Sequence, residues 1–404
     1  MISEKKTYSF FHITSLYNTI LDSFYESNKN HDKESYSETH YKIMHSFYAL
    51  NDFYERSLTT FFNVDANIIV INDDKLQSKW AKEHNSTAKG THLALEQIKF
   101  FKPNVIMIDD LNWADENFLA EIRKMPFVKI VFAHHCSPAT PLIISRMHLM
   151  DFMVSCSPVL AKEYNKQGIK NSFLIYHAFS DKIYEKLMPV NKQHDLVFVG
   201  SLLSGYEMHN YRRDLIIELI DNSINCKIYS AAPDFTIKQK LVYYTFYFLK
   251  LIFGKTLLER LFKKSILLYF FNEQVFWKKI EPVLNKPVFG IEMYNCIQNS
   301  KMCINVHGGI AGNAAANMRL FEVTGVGTCL ITDDKENMAE LFIPDKECIT
   351  YKNSSEAILK IKMLLQKPEL VKEIANNGKK KCLEYHNYDV RAKQLHDIIQ
   401  LFLN

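Results

Sequence analysis

The sequence predicts an α/β fold with two domains, each a parallel sheet covered by helices, that face each other across a cleft. Short apolar runs alternate with longer helical stretches in two separate series, and such alternation gives a parallel sheet with helices on both faces. A polar stretch at 180–195 separates the two series. The length of 404 residues also exceeds what one compact core usually holds. One large continuous sheet is the alternative arrangement.

The first series predicts a domain over residues 1–185. Its apolar runs are short and rich in Val, Ile and Phe, which is typical of buried parallel strands. These runs lie at 67–72, 104–109, 128–134, 152–156 and 172–177, with helical stretches between them, for example at 91–101 and 114–124. The first 60 residues are expected to add a strand at 7–13 and one or two helices.

The second series predicts a domain over residues 186–404. Strands are expected at 195–200, 225–230, 301–306, 328–332 and 348–351, and helices at 211–223, 317–325 and 335–342. Two closing helices follow, and the last of them is a candidate to pack back on the first domain. Both domains are therefore Rossmann-like, and a ligand is expected at the carboxyl ends of the strands, where loops from both domains meet.

The eight cysteines are scattered along the chain. Several stand inside apolar strand-like runs, such as Cys303 and Cys329, as reduced thiols do in cytosolic proteins. Because no two of them form a C-x-x-C pair, we expect neither a disulfide framework nor a zinc site. The N-terminal residues lack the apolar core of a signal peptide, and no apolar run reaches the roughly 18 residues that span a bilayer. We therefore expect a cytoplasmic protein.

Residues 236–280 interrupt the second series with a basic, aromatic segment. It holds nine Lys or Arg against two Glu, a net charge of +7 in a chain whose total is +4. Aromatic residues and Leu recur at helical spacing among these charges, as in amphipathic helices that lie on anionic membranes. The alternative is a helical insertion whose aromatic face packs on its own domain. Such segments also bind single-stranded nucleic acid, but nothing else in the sequence supports a nucleic-acid partner.

The first candidate ligand contacts of the second domain follow its first strand. Gly200 and Ser201 come directly after that strand, where a glycine lets the backbone approach a phosphate and free amides can bind it. Arg212 and Arg213 follow the loop, either as partners of a diphosphate or as the solvated start of a helix. Many strands end in glycine, so this pattern is not specific.

A denser group of candidates lies after the strand at 301–306. His307, Gly308 and Gly309 open a loop rich in Gly and Ala, and the next helix is expected to begin near Asn317. The N-terminus of that helix offers unpaired amides and a partial positive charge, which suit a nucleotide diphosphate.

The same helix carries Arg319 and Glu322, three positions apart and therefore on one face. A guanidinium group binds phosphate through two parallel hydrogen bonds, and a carboxylate beside it can accept hydrogen bonds from both hydroxyls of a ribose. The alternative is a surface Arg–Glu pair on a helix bounded by glycines.

These residues carry a resemblance to a known family. The stretch S-K-M-C-I-N-V-H-G-G … N-M-R-L-F-E-V-T-G-V-G-T-C-L-I-T-D resembles the C-terminal domain of group 1-type glycosyltransferases, in the branch similar to spore maturation protein CgeB. The ending H-N-Y-D-V-R-A-K-Q-L-H-D-I-I-Q is also like theirs. The similarity extends less closely to N-D-F-Y-E-R-S-L-T-T-F and to V-S-C-S-P-V-L-A-K-E-Y-N-K-Q-G-I-K-N-S-F-L-I-Y-H-A-F.

The resemblance implies the GT-B arrangement of two facing Rossmann-like domains and catalysis without a metal or other cofactor. It also implies that Glu322 holds the donor ribose, while the basic and glycine positions bind the diphosphate. Many retaining relatives carry a second glutamate eight positions earlier, where this chain has Ala314. Retaining stereochemistry is therefore not carried over.

The first domain is expected to bind the acceptor. Its strand ends present Asp109 and Asp110 after one strand and His134 and His135 after the next. A histidine there can take the proton of an acceptor hydroxyl, because its ordinary pKa lies near neutrality, and Asp110 could do the same or orient such a histidine. The alternative is a hydrogen-bonded structural pair of histidines. His177, after the run at 172–177, could instead sit at the interdomain hinge.

The predicted function is transfer of a sugar from a nucleotide-sugar donor to a surface-polysaccharide or glycolipid acceptor, in the cytoplasm or on the inner face of the membrane. His135 or Asp110 would act as the base if the reaction inverts the anomeric centre. Two alternatives remain open, a nucleotide-sugar epimerase of the same fold and a non-catalytic two-lobed sugar-binding protein.

Overall fold

A computed structural model describes residues 6–48, 51–203, 207–263, 265–307, 309 and 312–403. These residues form two separate six-stranded sheets, with the strand orders β2-β1-β3-β4-β5-β6 and β12-β11-β10-β7-β8-β9. Every strand pairing within them is parallel. The predicted pair of parallel α/β sheets is confirmed, and the alternative of one large sheet is wrong.

The first sheet and its helices are built by the N-terminal part of the chain. The strands are β1 (Ser9–Thr14), β2 (Asp65–Val70), β3 (Val105–Ile108), β4 (Ile130–His134), β5 (Met153–Ser155) and β6 (Ser172–Leu174). The helices are α1 (Asn18–Ser27), α2 (Tyr36–Met44), α3 (Phe53–Phe62), α4 (Asp74–Glu83), α5 (Gly90–Phe101), α6 (Glu116–Arg123), α7 (Pro141–Met147) and α8 (Pro158–Lys166). Every residue of β3 and β4 is buried, because helices cover both faces of the sheet.

The second sheet and its helices follow from residue 194 onward. The strands are β7 (His194–Val199), β8 (Cys226–Tyr229), β9 (Leu284–Asn285), β10 (Ser300–Asn305), β11 (Cys329–Asp333) and β12 (Ile349–Tyr351). The helices are α9 (Glu207–Asp221), α10 (Ile237–Phe253), α11 (Lys255–Phe262), α12 (Ile266–Ile280), α13 (Gly290–Gln298), α14 (Arg319–Gly325), α15 (Met338–Leu341), α16 (Ser354–Leu365), α17 (Pro368–Tyr385) and α18 (Tyr388–Leu403).

Side-chain caps fix the starts of several helices that leave the carboxyl ends of the strands. The side chains of Asp73, Asp115, Thr140 and Ser157 each accept a hydrogen bond from a backbone amide in the first turn of α4, α6, α7 and α8. These caps set where each loop between strand and helix ends, and the loops form the rim of the cleft.

Three details differ from the sequence-based expectation. The first 60 residues begin three helices, α1, α2 and α3, and not one or two. The edge strand β9 and the helix α13 were not expected. Helix α14 begins at Arg319, later than the predicted start near Asn317.

The last helix, α18, crosses from the second sheet to the first domain and packs along α3 and β4. Asp389 accepts a hydrogen bond from Ser57 at 2.7 Å. Arg391 donates to the backbone carbonyls of Tyr176 and His177 at 2.9 and 3.3 Å. The C-terminal segment therefore ties the two lobes together behind the cleft.

The domains also touch at the start of α13, where Gly290 has a φ of +52°. Its neighbour Ile291 donates a backbone hydrogen bond to the carbonyl of Ser46 at 3.1 Å. A Cβ on Gly290 would lie 2.3 Å from that same carbonyl oxygen, so only glycine allows this approach.

The basic segment at 236–280 forms the three helices α10, α11 and α12, as predicted, and they pack in two different ways. Helix α12 buries much of its length against the second domain, including Phe276, Trp277 and Ile280. Helix α10 buries only Phe246 and leaves most of its large apolar side chains exposed. No single described helix is long and apolar enough to cross a membrane, although α10 and α11, bent by 116°, meet that length and composition together.

Candidate active site

Two cavities open at the carboxyl ends of the two sheets. The first-domain cavity, of about 920 Å³, is lined at its floor by Asp109, Asp110, His134 and His135. The interdomain cavity, of about 320 Å³, is lined by residues of both lobes: Tyr17, Ile20, Tyr48, Gly200, Arg212, Asn305, Asn317, Arg319 and Glu322 are among them. Tyr17 and Ile20 line both cavities, so the two are neighbours along one cleft.

Arg319 and Glu322 form an ion pair of 2.8 Å in the wall of the interdomain cavity. The Arg319 side chain is 17% exposed and that of Glu322 is 6% exposed, so this pair is not the solvated surface pair that was the alternative. Arg319 Nη1 also lies 2.9 Å from Met293 Sδ. Burial and the neighbouring carboxylate of Glu322 raise the pKa of Tyr294 well above its usual value. The pair thus presents a cation and an anion side by side to whatever enters the cavity.

Arg212 is held in place by backbone carbonyls at the same cavity. Its Nε and Nη2 donate to the carbonyl of Val306 at 3.3 and 3.0 Å, and Nη1 donates to that of Ser201 at 3.5 Å. Among the described residues no carboxylate lies within ion-pair distance of Arg212, although Asp333 is near enough to act on its charge. Gly200 lines the cavity, but its amide donates to the carbonyl of Tyr229 at 3.1 Å, so this amide is not free for a phosphate as we had expected.

Arg213 has a different role from its neighbour. It pairs with Glu273 of α12 at 2.6 Å, and its guanidinium lies 3.9 Å from the centre of the Phe276 ring. Of the two alternatives for this arginine, neither fits, because it anchors the helical insertion to α9 and contacts neither the cavity nor open solvent.

His307 is buried directly behind the interdomain cavity and is oriented by Asp333. Both the backbone amide and Nδ1 of His307 lie 2.8 Å from Asp333 Oδ1. Burial favours the neutral form of Asp333, but the hydrogen bonds of His307 and the charge of Lys335 outweigh it and lower the pKa of this carboxyl. The Nε2 atom of His307 is buried without a hydrogen-bond partner among the described residues. The sequence contained a signal for Asp333, because it stands at the carboxyl end of a predicted strand.

The loop after His307 lies partly outside the described residues. Gly308 is one of those not described, and Gly309 is exposed. Asn317 lines the interdomain cavity and donates to Asn305 Oδ1 at 2.8 Å. Because α14 starts only at Arg319 and has seven residues, the candidate groups for an anion here are side chains more than a helix N-terminus.

In the first domain a buried charge cluster, His12, Glu55, Asp109 and His134, lies under the floor of its cavity. His12 Nδ1 is 2.7 Å from Glu55 Oε1, and His12 Nε2 is 2.6 Å from Asp109 Oδ2. His134 Nδ1 is 3.6 Å from Asp109 Oδ1. Asp109, and not Asp110, therefore orients His134. Neither His12 nor Glu55 was singled out from the sequence, since each lies inside a strand or helix and not at a strand end.

The electrostatics of this cluster favour charged histidines. Burial alone would lower the pKa of His12, but Asp109 and Glu55 outweigh it and raise the pKa to about 10. Burial also opposes protonation of His134, but Cys136 and Asp109 outweigh it and raise its pKa to about 10. A histidine that already carries its proton near neutrality cannot accept another, so His134 does not suit the predicted role of a base.

His135 and Asp110 reach the first-domain cavity from above this cluster. His135 Nε2 is 3.0 Å from Ser137 Oγ, and burial together with the charge of His134 lowers the pKa of His135 to about 4. Asp110 accepts hydrogen bonds from Ser15 at 3.2 Å and from the backbone amide of Asn112 at 2.9 Å. Both side chains are partly exposed, so both remain candidates for the base.

Comparison with known proteins agrees with this architecture. Residues 253–397, most of the second domain, match the glycosyl transferase-like family. No curated protein matches the sequence. A glycosyltransferase from Rickettsia africae is similar over 99% of this chain and 100% of its own, with a TM-score of 0.56 and 9% sequence identity.

Two further solved structures show the same two-lobed fold. Anabaena HepE in complex with UDP and glucose covers 97% of this chain and 99% of its own, with a TM-score of 0.53 and 8% identity. UDP-GlcNAc 2-epimerase from Neisseria meningitidis, bound to UDP-GlcNAc, covers 97% and 99%, with a TM-score of 0.50 and 9% identity. These likenesses confirm the GT-B fold, and the family match over residues 253–397 agrees with the predicted resemblance to group 1-type glycosyltransferases. The narrower CgeB-like branch stays a prediction.

Proposed function

We infer that this GT-B glycosyltransferase binds a nucleotide-diphosphate sugar in the interdomain cavity and transfers the sugar to a hydroxyl of a glycan or glycolipid held in the first-domain cavity. The observation that carries the inference is the Arg319–Glu322 pair, which lines a cavity shared by both lobes beside Arg212. The transfer needs two ligand sites that meet, and Tyr17 and Ile20 line both cavities.

Charged side chains would bind the nucleotide-sugar at two places, its diphosphate and its ribose. Arg319 and Arg212 supply guanidinium groups for the diphosphate, which leaves with extra negative charge as the glycosidic bond breaks. These groups take the part that a divalent cation plays in metal-dependent transfer, so we propose a metal-independent reaction. Glu322 accepts the ribose hydroxyls and is kept ionised by Arg319 at 2.8 Å.

The acceptor hydroxyl would be deprotonated by His135 or Asp110 if the reaction inverts the anomeric centre. Both side chains line the first-domain cavity and are partly exposed, whereas His134, which also lines it, is only 5% exposed and lies 3.6 Å from Asp109. The substitutions His135→Gln and Asp110→Asn, each of which introduces an uncharged amide side chain, distinguish the two candidates. The base variant loses kcat by about a hundredfold or more with an unchanged donor KM, while the other variant keeps most of its activity.

UDP is the first nucleotide to test, because the GT-B structure of HepE holds UDP together with glucose. Thermal shift with UDP, GDP, ADP and CMP should single out one nucleotide through the stabilisation that a bound ligand gives. No stabilisation by any of them, together with no release of nucleotide from any sugar donor, would remove the proposed function.

A glycolipid acceptor on the inner face of a membrane fits the surface of α10 and α11. Leu241, Phe248, Leu251 and Ile252 are exposed there, and Leu251 retains 69% of its accessible surface. Exposed Lys238, Lys240 and Arg260 accompany this apolar face, so the surface matches an anionic lipid headgroup layer.

Vesicle sedimentation tests this surface. Phe248→Ser with Leu251→Ser should reduce binding to anionic phosphatidylglycerol vesicles at least tenfold, since each fully buried side chain contributes about 1.5–3 kcal/mol. Leu359→Ser is the matched control, because Leu359 on α16 is also 69% exposed but lies on another face. Equal binding of both variants to the vesicles would rule out this docking surface.

A nucleotide-sugar epimerase of the same fold is the rival activity. Incubation with the preferred nucleotide-sugar in the absence of any acceptor separates the two, because only an epimerase then converts the sugar. A two-lobed binding protein would neither convert nor hydrolyse the donor.

A further inference from the structure

Three potential metal ligands that are far apart in the sequence meet at the carboxyl ends of adjacent strands of the first sheet. Cys136 follows β4, Cys156 follows β5 and His177 follows β6. Their ligand atoms all lie within 4.8 Å of one another. Because parallel strands bring successive carboxyl ends to one edge, these residues come together although no two of them show a metal-binding spacing in the sequence.

A second histidine, His134, lies beside this group. His134 Nε2 lies 3.3 Å from Cys136 Sγ, and the rings of His134 and His177 are 6.0 Å apart between centroids. A tetrahedral zinc with bonds of about 2.0–2.3 Å holds its ligand atoms roughly 3.3–3.8 Å apart. The observed separations therefore need only small side-chain rotations to reach that geometry.

The surroundings have the features of an outer shell around a metal site. Asp109 Oδ1 faces Nδ1 of His134 at 3.6 Å, and Nε2 of His134 is directed at Cys136 Sγ. A carboxylate–histidine pair that contacts a ligand atom in this way is typical of the second layer of groups around a metal site. The backbone amide of Cys156 donates to Cys136 Sγ at 3.1 Å, and a donated hydrogen bond of this kind stabilises a thiolate.

We propose that Cys136, Cys156 and His177 bind one Zn²⁺ ion at the edge of the first-domain cavity, with the fourth coordination position left to water. Two sulfur ligands and one imidazole favour zinc over the oxygen-seeking Mg²⁺ or Mn²⁺. This site is separate from the proposed diphosphate site, since none of its ligands lines the interdomain cavity. It therefore goes beyond the proposed function and does not depend on it.

The ion would fix the strand ends against the second domain. Cys156 and Ala316 pack together with Cys136 in one small apolar cluster, so the sulfur atoms lie beside the loop that follows His307. A bound ion would hold β4, β5 and β6 in register at that contact and form part of the wall that an acceptor meets.

Cobalt substitution tests the site on the full, reduced chain. Co²⁺ should give the thiolate charge-transfer band and the intense visible bands of tetrahedral coordination, saturating at about one equivalent per chain and reversed by Zn²⁺. Cys136→Ser and Cys156→Ser should each lose the charge-transfer intensity, and His177→Gln should weaken binding. Cys296→Ser, at a partly buried thiol of the second domain, is the matched control and should leave the spectrum unchanged.

A second measurement does not depend on variants that fold well. Zn²⁺ should protect Cys136 of the wild-type chain from iodoacetamide, as read by peptide mass spectrometry, without protecting Cys296. A wild-type protein that shows neither a cobalt–thiolate band nor zinc protection of Cys136 would overturn the proposal. So would a cobalt spectrum that is the same in the Cys136→Ser and Cys156→Ser variants.

Discussion

The two walls of the cleft both place cations beside carboxylates at the ends of their strands, but they bury these groups to different degrees. In the first wall, Asp109 and His134 line the floor of a cavity, but they and His12 have side chains no more than 6% exposed, and Asp109 lies between the two histidines. In the second wall, Arg319 is 17% exposed and its guanidinium reaches a cavity. A charge enclosed by other charges acts mainly on the fold, whereas a charge that reaches a cavity acts mainly on a ligand.

The largest expected effect tests the first wall. Asp109→Asn removes the carboxylate between two buried histidines and should lower the free energy of unfolding by about 3–5 kcal/mol, as breaking a buried pair does. Chemical denaturation measures this change. Asp110→Asn is the control, because the neighbouring side chain is partly exposed, and it should cost less than about 1 kcal/mol. Equal losses in the free energy of unfolding for the two variants would contradict this difference between enclosed and partly exposed charges.

The second-largest effect tests the second wall through its carboxylate, Glu322. Glu322→Ala should weaken binding of the donor nucleotide by about 10- to 100-fold, since a hydrogen bond to a charged group contributes about 1.5–3 kcal/mol. Its loss of stability should be smaller than that of Asp109→Asn, because the released guanidinium of Arg319 can still reach water in the cavity. Isothermal titration with the preferred nucleotide measures the binding, and Glu340→Ala, at an exposed acid on α15, is the control. An unchanged dissociation constant would remove the ribose role of Glu322.

A smaller effect tests whether the planar shape of the Arg319 guanidinium contributes to ligand binding in the second wall. Arg319→Lys keeps the charge but loses the planar pair of donors, so nucleotide affinity should fall about tenfold. Arg213→Lys, on the same domain but paired with Glu273, should leave the affinity unchanged. Steady-state inhibition by the nucleoside diphosphate measures both variants. If the two substitutions behave alike, the diphosphate is not bound at Arg319.

The smallest effect concerns the C-terminal segment that ties the two lobes together behind the cleft. In this segment His386 is buried in its neutral form. His386 Nε2 donates to the carbonyl of Leu341 at 2.8 Å, and Nδ1 accepts from Arg391 at 2.8 Å. Burial together with the charges of Arg391 and Lys381 lowers the pKa of His386 from 6.5 to about 4. Between these values the unfolded chain binds more protons than the folded one, so stability is complete above pH 6.5 and declines as the pH falls.

This decline should amount to about 1 kcal/mol for the first pH unit below 6.5. His386→Gln keeps a side-chain amide but has no proton to gain, so its stability should change less over the same interval. Thermal unfolding of both proteins between pH 7 and pH 5 provides the measurement. Parallel curves for the two proteins would show that His386 does not contribute to the pH dependence.

Much of the candidate site was predictable where it follows a strand. Arg319, Glu322, Asn317 and Arg212 stand after predicted strands or on the helix that follows one, and the structure brings all four to one cavity. Asp333 could have been found by the same rule. His12 and Glu55 could not, because each contributes one side chain from inside a regular element, and only the packing of β1 against α3 and β3 brings them to Asp109.

The sequence by itself determined the two parallel sheets, because a buried strand needs a continuous apolar run and a helix needs an apolar period, and both patterns are local. Tertiary structure alone decided which charged groups meet across strands, whether Arg213 faces the cleft or the insertion, and which of the three basic helices keeps its apolar face in solvent. These outcomes depend on distances between residues far apart in the chain, and composition and periodicity do not encode such distances.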